Sequence, residues 1–363
     1  MNVPILPLSC PDYGAQEERM RRCCARAGAH ACERQEAFED EFAAALGRHY
    51  AVAVCSGGVG MWLALRACGL SEGDEVILSP RAWLGPGRGL LRAGICPVFA
   101  DIDAESGCLD PARIEALIGP RTRAILAGNG NGHPADWEAL SRLARRHGLL
   151  LLEDSSEAIA SRYLGREVGA FGDVSVFDFS APGALCCGEG GMVVTDDPDL
   201  ANALYALRAD GAMRESCPTL RLPARVRLSE SGAALGLVQL DRLFEILAER
   251  KRVEGDYRRR LQAIPALGLP RLGAGVDEVH WTRYLVDVPP ATRPTLMREL
   301  GRAGIECAAP AWRARDLPPQ CRRAVDCELA LPFHSRLDPD GVERVAVVLE
   351  RVLATATGDE PHA

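Results

Sequence analysis

Between residues 50 and 154 the chain alternates short apolar runs with segments of helical periodicity, and this alternation constrains the fold more than any other feature. The apolar runs are YAVAV, DEVILSP, CPVFADI, RTRAILAG and LLLLEDSS, and the helical patterns between them are SGGVGMWLALRACGL, GPGRGLLRAG, DPARIEALI and DWEALSRLARRHG. Residues 149–152 are apolar at every position, as in a parallel strand that is covered on both faces. The pattern predicts a doubly wound α/β domain, to which the runs DVSVFDF and GMVVTDD add two strands.

The rhythm changes near Ser229. Residues 229–264 form one long helical pattern without a strand, and beyond them come a predicted strand, HWTRYLVDV, and the predicted helices RPTLMRELGRAGI and PDGVERVAVVLERVLATA. This change predicts two domains. Residues 1–245 form a large domain that includes the N-terminal segment, and residues 246–363 continue the long helix into a small C-terminal α+β domain.

Charge and cysteine content limit the partners and the compartment. The chain carries 42 Lys and Arg against 50 Asp and Glu, which gives no reason to expect nucleic acid or a membrane as a partner. No signal-peptide pattern and no apolar run of spanning length is found, and the 14 cysteines are scattered, so a cytoplasmic protein with reduced thiols is expected. The adjacent cysteines at 23–24 and 186–187 lack the spacing of a zinc site, and no metal is expected.

Motifs along almost the whole chain resemble those of the DegT/StrS family of sugar aminotransferases. They are, in order, FEDEFAAALGRHYAVAVCSGG, LSEGDEVILSPRAW, AGICPVFADID, PRTRAIL, HPADWEAL, ARRHGLLLLEDSSEA, GREVGAFGDVSVFDF, GEGGMVVTDD, LRADG, RVRLSESGAALGLVQLDRL and LPFHSRL. The resemblance implies the aspartate-aminotransferase fold (fold type I), with a mostly parallel seven-stranded sheet in the large domain. It also implies a homodimer whose two active sites borrow residues from the neighbouring subunit.

The chemistry of that family normally depends on a lysine that holds pyridoxal phosphate (PLP) as a Schiff base. Aligning FDF at 177–179 and GEGG at 188–191 with the family pattern places Gly183 at the lysine position. The chain has a single lysine, Lys251, which falls in the long helical stretch far from any cofactor motif and is interpreted as a solvated surface residue. The resemblance therefore identifies a divergent member without the Schiff-base lysine.

Three positions that grip the cofactor phosphate in the family are also changed. The resemblance places Gly58 where the family has Thr, Asp178 where it has Ser, and Arg225 of the partner subunit where it has Asn. A carboxylate about 4 Å from a phosphate is repelled by roughly 4 kcal/mol per unit charge at an effective dielectric of about 20. The sequence thus predicts no cofactor, with neither PLP nor its amine form, pyridoxamine phosphate (PMP), binding well. Asp178 and the partner's Arg225 are predicted to form a salt bridge in the vacated position; independent drift of both residues is the alternative.

Other positions of the cofactor pocket persist. Asp154 matches the aspartate that pairs with the pyridinium nitrogen, and Trp83 matches the aromatic residue that stacks on the ring. The backbone at Gly57 and Gly58 is expected to open a helix whose N–H groups can receive an anion. Glu157 replaces the family's Gln and follows Asp154 by three residues, at the C-terminal end of a buried strand where open α/β sheets bind ligands.

Crowded carboxylates in a cleft predict acid/base chemistry, because one carboxylate raises the pKa of the other. Asp154, Glu157 and Asp178 are the candidates for this role. An Arg partner for Glu157 is one alternative, and a hard metal ion held together with His133 is another.

Further candidates lie nearby in the sequence. Cys186 and Cys187 follow Gly183 and would act as nucleophiles only if a His or a helix terminus lowered a thiol pKa; idle buried thiols are the alternative. His280 is a further candidate for substrate contact. The candidates for substrate binding are Gly57, Gly58, Trp83, His133, Arg225, Tyr284 and His334.

Three functions are compatible with these features. The first is a PLP-independent enzyme that performs acid/base chemistry on a small polar sugar, cyclitol or amino-sugar intermediate of natural-product or glycan biosynthesis. The second is a non-catalytic pseudo-aminotransferase that acts as the partner or regulator of another enzyme. The third is an aminotransferase or dehydratase that uses PMP without a covalent anchor.

Overall fold

The computed structural model describes residues 5–26, 33–82, 85–180, 183–208, 226–310 and 317–356. The strands of these residues are β1 (Tyr50–Val54), β2 (Glu75–Leu78), β3 (Cys96–Phe99), β4 (Thr122–Gly128), β5 (Leu150–Asp154), β6 (Arg162–Tyr163), β7 (Arg166–Glu167), β8 (Val174–Asp178), β9 (Gly191–Thr195), β10 (Val276–Glu278), β11 (Tyr284–Asp287) and β12 (Glu328–Leu331). The helices are α1 (Ala15–Arg26), α2 (Glu33–Leu46), α3 (Gly57–Ala67), α4 (Gly89–Ala93), α5 (Trp137–His147), α6 (Pro198–Arg208), α7 (Glu230–Asp241), α8 (Leu243–Leu261), α9 (Arg293–Arg302), α10 (Pro319–Cys327) and α11 (Pro339–Ala356).

A seven-stranded sheet forms the centre of the larger unit, in the order β1-β9-β8-β5-β4-β2-β3. The strands from β8 to β3 pair in parallel, whereas β9 pairs antiparallel with both β1 and β8. Strand β5 is buried along its three central residues, as its apolar sequence requires. The predicted α/β class with a mostly parallel seven-stranded sheet is confirmed.

Capping residues set the bounds of the helices that cover this sheet. The Ser56 Oγ accepts a hydrogen bond from the Val59 N–H at 3.3 Å and starts α3, which packs against β8 and β9. The Asp136 carboxylate accepts from the Ala139 N–H at 3.0 Å and starts α5, which ends at Gly148 with a φ of 61°. These helices therefore begin at the carboxyl ends of strands, where their N–H groups face the same edge of the sheet.

Three predicted helices differ in length from the sequence pattern. DPARIEALI forms two short 3₁₀ turns, Pro111–Arg113 and Glu115–Leu117, and GPGRGLLRAG forms a 3₁₀ turn followed by the five-residue α4. Proline and glycine at the ends of these segments leave too few residues for regular helices. The long helical pattern forms two helices, α7 and α8, which a break at Arg242 separates.

The C-terminal residues build a second core around the antiparallel pair β11 and β12, which α8, α9 and α11 cover. The start of the described chain belongs to this core, because the Leu6 N–H donates to the Gly304 carbonyl at 2.8 Å and the Phe333 N–H donates to the Leu8 carbonyl at 2.9 Å. The division of the chain at residues 245 and 246 stays a prediction. In the described ranges, no helix is both long and apolar enough to cross a membrane.

Candidate functional site

A cavity of about 630 Å³ lies at the carboxyl ends of β2, β4, β5 and β8. Other parts of its wall come from the start of α3, from the segment that leads into β11 and from β12. Open α/β sheets bind ligands at this edge. The lining residues that bear on its chemistry are Gly58, Arg81, Arg88, Asp154, Ser156, Glu157, Asp178, Ser180, Gly183, His280, Arg283 and Glu328.

Asp154 is the last residue of β5, which places its carboxyl group on the cavity wall. Its Oδ1 accepts a hydrogen bond from the Ser156 N–H at 3.1 Å. Burial, with smaller contributions from the charges of Glu157 and Asp178, raises the pKa of Asp154 to about 7. A carboxyl group in this state is poised to bind a cationic or N–H-donating ligand atom.

Glu157 follows Asp154 by three residues, and each of its two carboxylate oxygens has a hydrogen-bond partner. Its Oε2 accepts from the Asn131 N–H at 2.8 Å, and its Oε1 lies 2.6 Å from the Arg283 Nη2. Burial opposes ionisation of Glu157, but the charges of Arg283 and Arg81 and the Asn131 N–H outweigh it and lower the pKa. The two carboxylates that the sequence places three residues apart thus have their pKa values shifted in opposite directions.

Asp178 is the last residue of β8 and lies at the beginning of α3. Its Oδ2 accepts from the Gly57 N–H at 2.9 Å, and its Oδ1 accepts from the Ser180 N–H at 2.8 Å and from the Ser180 hydroxyl. A Cβ atom on Gly57 would lie 2.6 Å from the Asp178 Cβ, so this approach requires glycine. The negative charge is favourable at this helix end.

Gly183, which the sequence resemblance aligns with the family's lysine, lines the cavity. The only lysine of the chain lies elsewhere: Lys251 is on α8, its side chain is 52% exposed, and its Nζ is 2.8 Å from a Glu254 oxygen. No lysine of this subunit therefore reaches the cavity to form a Schiff base.

Residues 15–350 match the model of the DegT/DnrJ/EryC1/StrS aminotransferase family. The chain belongs to this family. The resemblance seen in the sequence is therefore confirmed over nearly the whole chain.

Three similar proteins illustrate the relationship. A GDP-perosamine synthase from Caulobacter vibrioides is 34% identical over 332 residues, which cover 87% of this chain and 89% of the relative. The aminotransferase TlmJ from Streptoalloteichus hindustanus has a TM-score of 0.88 at 29% identity, covering 97% of this chain and 100% of its own. DesV from S. venezuelae, solved with a ketimine intermediate, has a TM-score of 0.87 at 31% identity and covers 97% of this chain and 99% of its own.

The prediction that the protein binds no cofactor is wrong. The chain is a member of an aminotransferase family, and its structural neighbour DesV was captured with a ketimine, a species formed with the cofactor. Both findings point to the use of PLP or its amine form. The interpretation as a PLP-independent enzyme loses its basis with this correction.

The residues of the cavity fit the cofactor at the ring end. The Asp154 carboxyl, with its raised pKa, has the position and the unmet acceptor capacity that a pyridinium N–H needs. At the phosphate end, Ser56, Gly58 and Ser180 line the cavity, but the Gly57 N–H is already bonded to Asp178. A phosphate at this end would compete with Asp178 for the Gly57 N–H.

Several sequence candidates lie outside the cavity wall. His133 is buried, with its Nδ1 2.7 Å from the Pro134 carbonyl and its Nε2 accepting from the Gly273 N–H at 2.9 Å. Tyr284 is buried and stacks on Tyr257 with ring centroids 4.5 Å apart. His334 is buried, and within the described ranges neither of its ring nitrogens has a hydrogen-bond partner. The rings of these three residues therefore pack in the interior of the fold.

The two cysteines after Gly183 are also buried. The Tyr13 hydroxyl donates to the Cys186 carbonyl at 3.3 Å and lies 3.4 Å from its Sγ. Burial raises the pKa of the Cys187 thiol far above its ordinary value, which disfavours the thiolate that a nucleophile requires. Among the described residues, no group lowers the pKa of the Cys187 thiol.

Two predicted site residues, Trp83 and Arg225, lie outside the described residues. The proposed salt bridge between Asp178 and the partner's Arg225 falls there too, although Asp178 has partners in its own subunit. Among the residues that are described, no group of three or more His, Cys, Asp or Glu could hold a metal ion. Arg81, Arg88 and Glu328 could not be predicted from the sequence, because the cavity joins distant segments. The Arg partner that the sequence left open as an alternative for Glu157 is Arg283.

Proposed function

We propose that this protein is a sugar-modifying enzyme that uses a pyridoxal cofactor without a covalent link to the protein. The observation that carries the proposal is that Gly183 and Asp154 line one cavity, which offers a partner for the ring nitrogen but no amine for a Schiff base. The amine form, PMP, needs no such lysine to be retained. The substrate is a small polar sugar, cyclitol or amino sugar of natural-product or glycan biosynthesis, in keeping with the family and with the relative named GDP-perosamine synthase.

The roles of the chain's own residues follow from their protonation. When bound, the cofactor supplies an electron sink and an amino group. The Asp154 carboxylate holds the proton of the ring nitrogen, since its raised pKa shows an environment that favours a shared proton over a bare charge. Glu157, whose pKa is lowered, stays ionised and accepts a hydrogen bond from a hydroxyl of the ring or of the sugar.

Arg283 orients Glu157 for this role. Its guanidinium reaches Glu157 from the segment before β11, and the Thr282 hydroxyl donates to the Glu157 carbonyl at 2.5 Å. The second core thus holds the acceptor that faces the ligand. A homodimer with shared sites and a cytoplasmic location remain predictions from the resemblance and the composition.

The test is to titrate the purified protein with PLP and PMP, following absorbance, and then to treat the PLP complex with borohydride. Saturable binding without a covalent pyridoxyl adduct on any lysine is expected. A Gly183→Lys variant should gain one borohydride-fixed adduct at the introduced lysine, identified by peptide mass spectrometry. Lys251→Arg is the matched control and should bind both compounds as the wild type does.

The substrate class is tested with the PMP-loaded protein. Mixing it with a panel of nucleotide-linked keto sugars should convert PMP to PLP in a single turnover for at least one member. Saturable binding without conversion of any sugar would limit the proposal to cofactor binding. If neither PLP nor PMP binds, the proposal is overturned and the non-catalytic partner role becomes the better interpretation.

A further inference from the structure

The carboxylate of Asp178 lies at the N-terminal end of α3. The Asp178 Oδ2 accepts from the Gly57 N–H at 2.9 Å, and Gly57 lacks the side chain that would keep this carboxylate away. In the family pattern this position is a neutral Ser that faces the cofactor phosphate. Asp178 therefore puts a fixed negative charge where a neutral donor is usual.

This charge has two opposite effects. It stabilises the positive end of the α3 dipole in the free protein. It also removes a free N–H group from the cavity and repels any phosphate that approaches the same helix end. A ligand phosphate consequently has to displace a bound carboxylate, and the free energy of that displacement is subtracted from its affinity.

The displacement needs only a side-chain rotation. Asp178 is held in β8 by its backbone, where it pairs with Gly191 of β9. Its carboxylate can exchange Gly57 for solvent while Ser180 continues to bond to Oδ1. Arg88 lines the same cavity, so it offers a cation to an incoming phosphate.

We propose that Asp178 is an internal competitor for the phosphate of the ligand, so that this protein holds phosphorylated pyridoxal compounds loosely and exchanges them readily. The inference rests on the proposed function for the identity of the ligand. The competition itself applies to inorganic phosphate as well. According to this inference, Asp178 alone decides whether the cofactor is tightly retained or exchanges readily.

The test compares PMP with pyridoxamine, which lacks the phosphate. In the wild type the two should bind with affinities within about tenfold of each other, because the phosphate gains little against Asp178. In Asp178→Ser the affinity for PMP should rise by at least about tenfold while that for pyridoxamine stays within about threefold. Asp178→Asn, which keeps the shape, should shift PMP in the same direction and serves if the Ser variant folds poorly.

The control is Asp136→Asn, which removes a carboxylate from the start of α5, away from the cavity. It should leave the ratio of PMP to pyridoxamine affinity unchanged. An equal ratio in the wild type and in both Asp178 variants overturns the inference while leaving the proposed function intact. If no pyridoxal compound binds, the proposed function fails, and the inference is then decided by thermal unfolding in inorganic phosphate. A larger stabilisation of Asp178→Ser than of the wild type supports it, and an equal one overturns it.

Discussion

Arg81 and Glu328 meet face to face across the cleft, with Nη1 3.1 Å from Oε1 and Nη2 3.4 Å from Oε2. Arg81 follows β2 of the large sheet, and Glu328 is the first residue of β12 in the second core. Both residues also line a second cavity of about 550 Å³ on the other side of the pair. A bidentate ion pair thus joins the two cores and separates two adjoining cavities.

Loss of one member of this ion pair should destabilise the fold. Glu328→Gln leaves the Arg81 charge largely buried without its partner and should lower the free energy of unfolding by about 2–4 kcal/mol. The double variant with Arg81→Gln should lose less than the sum of the two single changes. Chemical denaturation measures both, with Glu343→Gln on the exposed face of α11 as control. A loss no larger than that of the control would contradict this role.

The raised pKa of Asp154 predicts a pH dependence of stability. The folded state binds the Asp154 proton more tightly than the unfolded chain, so this group destabilises the fold as the pH rises from about 4 to about 7. Asp154→Asn should therefore be more stable than the wild type at pH 8, by about 1–3 kcal/mol once water in the cavity is allowed for, and this advantage should vanish below about pH 4. Thermal unfolding across this range is the measurement.

Glu157 should have the opposite effect on the pH dependence of stability. Its folded pKa is lowered, so its contribution to stability is present above the unfolded pKa and is lost as the pH falls through the folded one. Glu157→Gln should accordingly be less stable than the wild type at neutral pH and approach it in acid. Parallel pH profiles for the Asp154 and Glu157 variants would contradict both assignments.

Glu153 is a buried carboxylate that organises the sheet behind the cavity. Its oxygens accept from the N–H groups of Gly169, Phe171 and Gly172 at 2.6, 2.9 and 3.0 Å, and from the Ser175 hydroxyl at 2.9 Å. Glu153→Gln replaces one acceptor oxygen with a donor and should lower the free energy of unfolding by about 2–4 kcal/mol. Glu115→Gln, a surface change, is the comparison, and equal denaturation midpoints would refute the prediction.

Arg250 positions the segment that carries Arg283. It is buried, which lowers its pKa to about 10, and its Nη2 donates to the carbonyls of Trp281 and Thr282, both at 2.9 Å. Arg250→Met should destabilise the fold by about 2–4 kcal/mol through two unsatisfied carbonyls. It should also weaken PMP binding, because Glu157 loses its orienting partner. Arg250→Lys should recover part of the stability and part of the PMP affinity. PMP binding by Arg250→Met equal to that of the wild type would show that this segment keeps its position without Arg250.

The sequence was most informative about residues that end a strand. Asp154 could be placed at the cavity because it closes an apolar run, whereas Asp178 was placed by the resemblance, which matches it to a phosphate-binding Ser. Arg283 and Glu328 could not, because their partners Glu157 and Arg81 lie 126 and 247 residues away and no local pattern encodes the pairing. Asp178 was expected to bond to the neighbouring subunit.

The limits of the resemblance have a similar cause. The resemblance matches His133 and His334 to motifs of the family, but whether a ring turns toward a cavity or toward the core depends on packing from distant elements. The absent lysine could be read directly from the alignment of Gly183. Its consequence for the cofactor could not, because binding depends on the whole cavity and not on one anchor.

The hydrogen bonds of Leu6 and Leu8 to residues 304 and 333 impose an order on biosynthesis. A ribosome releases residues 6 and 8 long before residues 304 and 333, whose backbone groups pair with them. Leu8 also contributes to the cavity wall, so the ligand-binding chamber cannot be complete in any nascent chain that stops before residue 333. The pairing of residues 6 and 8 therefore has to wait for these later residues, and the large sheet can form well before the cavity wall is complete.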